Sequence, residues 1–307
     1  MSKTKYIWHK GKIVDFENAT IHVLSPTSQF GANVFEGLRG YWSSEEQNLY
    51  IFKMEEHIQR LKKSIKLIGF DSTLTDSDFR QSVIDVLTAN DFKEDIAVRQ
   101  TVYLDGFGSW MSDGDVEMFV APVAKGRNVS GEKFNQGIKC MVSSWERISD
   151  RNLSPRIKLG ANYMNSRLGQ IEAVDNGYNS AIFLNSSGTV SEAPGACLFI
   201  VRDGKLVTPP LTSSVLESIT RETVIHLAKS ELGLEVEERE VDRTELYIAQ
   251  EAFICGTAAE ITPVTQIDRY EIGEGTAGPI TRSISELYFA CVRGRIEQYK
   301  HWLTAVY

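Results

Sequence analysis

The chain has 307 residues, of which 42% are hydrophobic, 24% charged and 10% aromatic, a balance that excludes wholesale disorder, a collagen-like repeat and a disulfide miniprotein. Lys and Arg total 33 against 41 Asp and Glu, a formal charge of -8. No long basic block exists to attract a phosphodiester backbone, so nucleic acid is not an expected partner. The length exceeds what one hydrophobic core usually supports and suits a two-domain enzyme.

The N-terminal stretch alternates charged and apolar residues and lacks the continuous apolar run of a secretion signal. No run approaches the length of a membrane-spanning helix, so no membrane partner is expected. Short β-rich stretches lie at 15–24 and Asn48–Phe52. Between them and the next turn, Met54, Ile58, Leu61, Ile65 and Ile68 recur at helical spacing and predict a helix over 53–70. A second helix follows from Asp76, which reads as its cap, with Phe79, Val83, Ile84 and Leu87 on one face. Strands are expected at 96–103 and Val116–Ala124. The Gly-, Asn- and Ser-rich segment that follows is the best domain boundary. The expected division is therefore a small N-terminal α/β domain over 1–124, a loop over 125–134 and a larger C-terminal α+β domain over 135–307.

The second half opens with a strand over 137–145. It contains two hairpin-like units, marked by Asn185-Ser186-Ser187-Gly188 and Arg202-Asp203-Gly204-Lys205. Helices are expected over 163–174, 220–232 and 279–295. Helices and strands intermix without regular βαβ alternation, so the fold class is α+β rather than a doubly wound sheet. Cys140, Cys197, Cys255 and Cys291 are scattered, with no CxxC pair and no His at ligand spacing. They read as reduced thiols of a cytoplasmic protein without a metal site.

Several familiar motifs fail on inspection. Gly126 to Lys133 resembles a phosphate-binding P-loop, but Glu132 stands where that motif needs its lysine, and a carboxylate there repels phosphate. Asp105-Gly106-Phe107-Gly108 lacks the third glycine and following helix of a dinucleotide fingerprint. The histidines at 9, 22, 57, 226 and 301 form no HExxH pattern, and no GxSxG elbow is present.

A dispersed set of segments carries a different signal. These are Val34-Phe35-Glu36-Gly37-Leu38-Arg39-Gly40-Tyr41, Glu56-His57-Ile58-Gln59-Arg60-Leu61, Lys158-Leu159-Gly160-Ala161-Asn162-Tyr163, Ser191-Glu192-Ala193-Pro194-Gly195, Thr208-Pro209-Pro210 and Gly256-Thr257-Ala258-Ala259-Glu260-Ile261-Thr262-Pro263. Together, in this order and over nearly the whole chain, they resemble the class IV aminotransferases, the fold-type IV enzymes of pyridoxal 5'-phosphate (PLP). Within that family the chain is most similar to branched-chain amino acid aminotransferases. The resemblance implies a two-domain α+β fold with the cofactor at the domain interface.

It also implies roles for individual residues. Lys158 matches the lysine that bonds the cofactor and, once displaced by substrate, shuttles the proton between the substrate α-carbon and the cofactor. Glu192 matches the carboxylate that keeps the pyridine nitrogen protonated, and Tyr163 the hydroxyl beside the cofactor's phenolic oxygen. Arg60 matches the phosphate arginine, whose planar fork suits a dianion. Ser218-Ile219-Thr220 precedes an amphipathic helix whose first-turn amides suit an anion, and Thr220 also reads as its N-cap. The amides near Ile219 and Thr220, with the Thr257 hydroxyl, would complete a phosphate cup.

For the substrate, the resemblance assigns its carboxylate to Thr257, Ala258 and Arg99, and its apolar side chain to Phe30, Phe35 and Tyr163. Here the chain departs from the family. Ala97 stands where the family often has a tyrosine, and Gln100 where it has a proline. Lys125 and Arg127 lie where aromatic pocket walls are common; these side chains either enter the pocket or extend to solvent. Glu36, Arg39 and Tyr41 are assigned supporting roles. The implied activity is ping-pong transamination between Leu, Ile or Val and 2-oxoglutarate by a homodimer or an assembly of dimers. The alternatives are a same-fold transaminase of D-amino acids, (R)-amines or an unusual keto acid, and an aminodeoxychorismate-type lyase.

Overall fold

The computed structural model describes residues 3–307. It divides into two compact units. The first comprises the chain up to Gly126 with residues 157–161 and 291–307, and the second residues 127–156 and 162–290. The segments 157–161 and 291–307 thus group with the N-terminal part although they lie beyond the boundary expected between 124 and 135. Strand pairing accounts for this, because the C-terminal strand Leu303–Ala305 pairs antiparallel with residues 50–52, and Leu159 bridges to Val34.

The first unit begins with β1 (Tyr6–His9) and β2 (Lys12–Asp15), followed by the short α1 (Pro26–Phe30), β3 (Asn33–Ser43) and β4 (Asn48–Phe52). It continues with α2 (Met54–Ile68), α3 (Asp76–Asn90), β5 (Ile96–Leu104) and β6 (Val116–Ala124). With the C-terminal strand these make a seven-stranded antiparallel sheet, ordered C-terminal strand, β4, β3, β5, β6, β1, β2. Side chains alternate across β3 and β5. Val34 and Leu38, with Ile96, Val98 and Val102, join Ile58, Leu61 and Ile65 of α2 and Phe79, Val83 and Leu87 of α3 in one core. Phe35, Gly37 and Arg39 of β3, and Ala97, Arg99 and Thr101 of β5, therefore occupy the other face.

Two local expectations are corrected. The stretch 15–24 forms no strand past Asp15. Phe16–Asn18 is a 3-10 turn, and the backbone then folds on itself through Thr20 N to Asn18 O and Ser25 N to His22 O, leaving Val23 and Leu24 exposed rather than alternating into a core. The cap of α3 is Thr75, not Asp76. Thr75 Oγ1 accepts the Asp78 amide while Asp78 accepts the Thr75 amide, a reciprocal capping box.

The second unit contains α4 (Glu132–Gln136), β7 (Ile138–Glu146), α5 (Tyr163–Asp175), β8 (Ser180–Leu184), β9 (Cys197–Arg202) and β10 (Lys205–Thr208). Then follow α6 (Ile219–Ser230), β11 (Val236–Glu238), α7 (Arg243–Leu246), β12 (Glu251–Gly256), β13 (Glu260–Ile267), β14 (Tyr270–Glu271) and α8 (Pro279–Val292), whose last residues group with the first unit. Its sheet runs β11, β10, β9, β12, β13, β7, β8, with β14 paired to β13. The β11–β10, β13–β7 and β7–β8 pairs are parallel, and the others antiparallel. The expected turn at Asp203-Gly204 joins β9 to β10. Both residues have positive φ, as the twist of a two-residue hairpin requires. Among the described residues, no helix is long and apolar enough to cross a membrane.

Candidate active site

The expected site residues fall into two sets, one in each unit. In the first unit, Lys158 belongs to the short returning segment and is anchored by its backbone. Its N–H donates to Ser64 Oγ at 3.1 Å, and its carbonyl accepts the Phe35 N–H at 2.9 Å. Its ammonium lies 5.2 Å from the centroid of the buried Phe35 ring, and the Arg99 guanidinium lies 3.8 Å from that centroid. The strand register explains the second contact. Arg99 pairs with Gly37, which has no side chain, so the long arginine leans along the sheet onto Phe35 two residues away. Phe35, Arg99 and Lys158 are thereby brought together.

Arg60 lies on α2, one turn before Ser64, and its side chain is committed to Glu36. Nε and Nη2 reach the two Glu36 carboxylate oxygens at 2.7 Å each, and His57 Nδ1 meets the same carboxylate at 2.7 Å. Burial raises the Glu36 pKa, but the charge and hydrogen bonds of Arg60, helped by His57, override it and hold the carboxyl far below its usual range. Burial lowers the His57 pKa against the pull of Glu36, so the imidazole is neutral at pH 7. Phe30 is the last residue of α1 and is exposed.

The second set gathers at one end of β9 and β12. Glu192 is buried. One of its oxygens accepts from Arg147 Nη2 at 2.7 Å, and the other from the Leu216 amide at 3.3 Å, with Cys197 Sγ at 3.8 Å. Cys197 is directly opposite Cys255, and Gly256 approaches the Gly195 carbonyl so closely that an added Cβ would sit 3.2 Å from it. These contacts draw the Glu192 turn, the stretch into α6, and the Thr257-Ala258 turn into one neighbourhood. The cap of α6 is Ser218 rather than Thr220, because the extended residue at 218 lets its hydroxyl accept the Arg221 amide at 3.2 Å. Ile219 and Thr220 are the first two helical residues, and their amides meet no acceptor among the described residues. Tyr163 opens α5 and is 37% exposed.

The loop after β6 is more ordered than its composition suggests. Arg39 donates to the carbonyls of Lys125 and Gly126 at 2.8 and 3.0 Å, a structural use of that family residue. Arg127 stacks 3.6 Å from the Phe289 ring centroid and donates to Ser285 Oγ, so its guanidinium lies against α8. The Asn128 amide donates to the buried Glu260 carboxylate at 2.7 Å, and its side chain reaches Ala259 O and Thr262 Oγ1. The Thr257-Ala258 turn is thus held from below.

Sequence reasoning missed Ser64, Arg147 and the Asn128–Glu260 pair. Ser64 had a signal, being a polar residue in the apolar stripe of α2. Arg147, one of 33 basic residues, had none.

Comparison with known proteins decides the family. The model of the amino-transferase class IV family matches residues 33–267. The chain belongs to the class IV aminotransferases. As such it is similar to a probable branched-chain-amino-acid aminotransferase of Aquifex aeolicus, 40% identical over 98% of this chain and 97% of that one. Among solved structures of class IV aminotransferases, the branched-chain amino acid aminotransferase of Thermobaculum terrenum in its PLP form is 46% identical, covers 99% of both chains and superposes with a TM-score of 0.93. The T.th. branched-chain amino acid aminotransferase, complexed with N-(5'-phosphopyridoxyl)-L-glutamate, is 34% identical over the full length of both chains, with a TM-score of 0.93.

Proposed function

We propose that this aminotransferase uses PLP to exchange amino groups between leucine, isoleucine or valine and 2-oxoglutarate. The observation that carries the reading is the grouping of Lys158, Phe35 and Arg99, which sets an amine, an apolar ring and a guanidinium side by side. An α-amino acid with a hydrocarbon side chain needs those three surfaces. The glutamate derivative bound by the T.th. relative supports 2-oxoglutarate as acceptor.

The residues present suit the cofactor. Taken unit by unit, Arg60 and Lys158 in the first, and Tyr163, Glu192, Ile219, Thr220 and Thr257 in the second, are the groups that would serve it. The acceptor-less amides at the start of α6 match a phosphate, and a buried carboxylate at Glu192 matches a ring nitrogen that must stay protonated. When bound, PLP supplies an electron sink for the charge left when the substrate α-proton departs. Lys158 Nζ would take that proton from the substrate α-carbon and pass it to the cofactor. In the first unit Arg99 would meet the substrate carboxylate and Phe35 its apolar side chain, and in the second Thr257 and Ala258 would offer the carboxylate their turn.

The working form is a homodimer or an assembly of dimers. Large side chains left in solvent support it: Val23, Phe107, Trp110 and Met111 in the first unit are each more than two-thirds exposed. A cytoplasmic location fits four buried free thiols.

The test is the absorbance of the PLP-loaded protein while L-leucine, D-alanine or an (R)-amine is added without keto acid. L-leucine alone should discharge the cofactor band, and 2-oxoglutarate should restore it. A band that ignores L-leucine but responds to D-alanine or the amine would overturn the substrate assignment. Lys158→Ala should abolish turnover, and wild-type rates in that variant would remove Lys158 from its role.

A further inference from the structure

Arg147 follows β7 directly, and its side chain is 8% exposed. Its guanidinium faces two elements at once. Nη2 donates to Glu192 Oε1 at 2.7 Å, while Nη1 donates to Asn165 Oδ1 and Ser166 Oγ at 3.3 Å each, in the first turn of α5. The plane lies 5.9 Å from the centroid of the fully buried Phe183 ring. No other cation forms an ion pair with Glu192 among the described residues.

We propose that Arg147 is the positioning residue of this enzyme's cofactor ring, holding the Glu192 carboxylate aimed while fixing the start of the helix that presents Tyr163. The proposal rests on the reading of Glu192 as partner of the pyridine nitrogen. A carboxylate buried away from water needs a counter-charge, and it meets a ring nitrogen only if it is held in a fixed direction. Arg147 supplies the missing charge from inside the protein. Its planar fork makes the arrangement directional, because one guanidinium nitrogen serves Glu192 and another serves Asn165 and Ser166. A lysine would carry the charge without spanning both partners. The Leu216 amide and the Cys197 thiol occupy the second carboxylate oxygen, so the direction of the Glu192 side chain is set from both sides. Tyr163 lies two residues before Asn165, so displacing the guanidinium disturbs the proposed nitrogen partner and the proposed hydroxyl partner together.

The experiment compares Arg147→Met, Arg147→Lys, Glu192→Gln and the Arg147→Met/Glu192→Gln double variant. In the holoenzyme the readouts are the pH profile of the cofactor absorbance, and kcat and KM for L-leucine with 2-oxoglutarate. Arg147→Met should lower kcat roughly 10- to 100-fold, the range seen when the outer partner of a working group is lost. KM should change little, and the midpoint of the absorbance profile should move. Arg147→Lys should recover part of the loss. In the apo-protein, the melting-temperature losses of Arg147→Met and Glu192→Gln should be less than additive in the double variant. Wild-type kcat and absorbance profile in Arg147→Met, with only a lower melting temperature, would overturn the proposal by making Arg147 merely structural. If Arg147→Met does not fold, Arg147→Lys and the double variant decide, and a wild-type kcat and profile in Arg147→Lys together with a double variant whose profile departs from that of Glu192→Gln would overturn it. A Glu192→Gln enzyme with unchanged profile and turnover would overturn the reading of Glu192 itself, a result separable from failure of Arg147 alone.

Discussion

Replacing Glu36 with Gln would remove a negative charge from a site that water does not reach. The carboxylate side chain is 0% exposed and that of Arg60 9%, and the pair is closed by two 2.7 Å bonds plus a third from His57. Gln keeps the volume but supplies one acceptor oxygen and turns an amide donor toward donors. Breaking a buried pair by removing one partner costs about 3–5 kcal/mol, since the remaining charge stays uncompensated. At roughly 2–4 °C per kcal/mol for a unit of this size, the melting temperature should fall by about 6–20 °C. Thermal unfolding of the apo-protein near neutral pH measures this. The sign with pH follows from the depressed Glu36 pKa. Its contribution is fully present above the unfolded value near 4.5 and is lost only as pH falls through the lower folded value, so the gap should not close between neutral pH and about pH 5. A variant melting within about 1 °C of the parent would refute the reasoning.

Further outcomes are expected elsewhere. Ser218→Ala should cost about 0.5–2 kcal/mol by removing the cap of α6 and should weaken PLP retention in dialysis, whereas unchanged stability would mean the cap is dispensable. Gly169→Ala should destabilise by about 1–3 kcal/mol, because the added Cβ would sit 2.4 Å from the Phe183 ring that underlies Arg147; urea titration checks it. Buried neutral His57 should make stability fall as pH drops below 6.5, since the unfolded chain takes up a proton that the folded one refuses. A His57→Gln variant should lose that part of the slope in melts from pH 7 to 5.

Legibility followed the range of the interactions. The stripes of α2 and α3 and the run of β6 are local patterns, and their elements form where the spacing places them. Caps were misplaced by one or two residues at Thr75 and Ser218 because neighbouring hydroxyls and carboxylates compete for the same amides. The stretch 15–24 failed because its apolar residues stay exposed, so burial never enforces the alternation. For the proposed site, Lys158, Glu192 and Arg60 were singled out through family resemblance alone. The Glu36 fork on Arg60 and the Arg147 fork on Glu192 link residues 24 and 45 positions apart, and nothing in local pattern signals pairing over such separations.

The anchoring of Lys158 shows why the returning segment matters. Chain order places this lysine among residues of the second unit, yet residues 157–161 pack into the first. Three hydrogen bonds hold them there: Phe35 N–H to Lys158 O and Gly160 N–H to Asn33 O, which together make the bridge between Leu159 and Val34, and Lys158 N–H to Ser64 Oγ. All involve main-chain atoms of the segment and leave the lysine side chain out of the anchoring. The role proposed for Lys158, holding a cofactor and moving a proton, would need such a division between a fixed backbone and a side chain that does not carry the anchoring. Leu159, next to Lys158 in sequence and buried in the core of the first unit, adds apolar packing to these bonds.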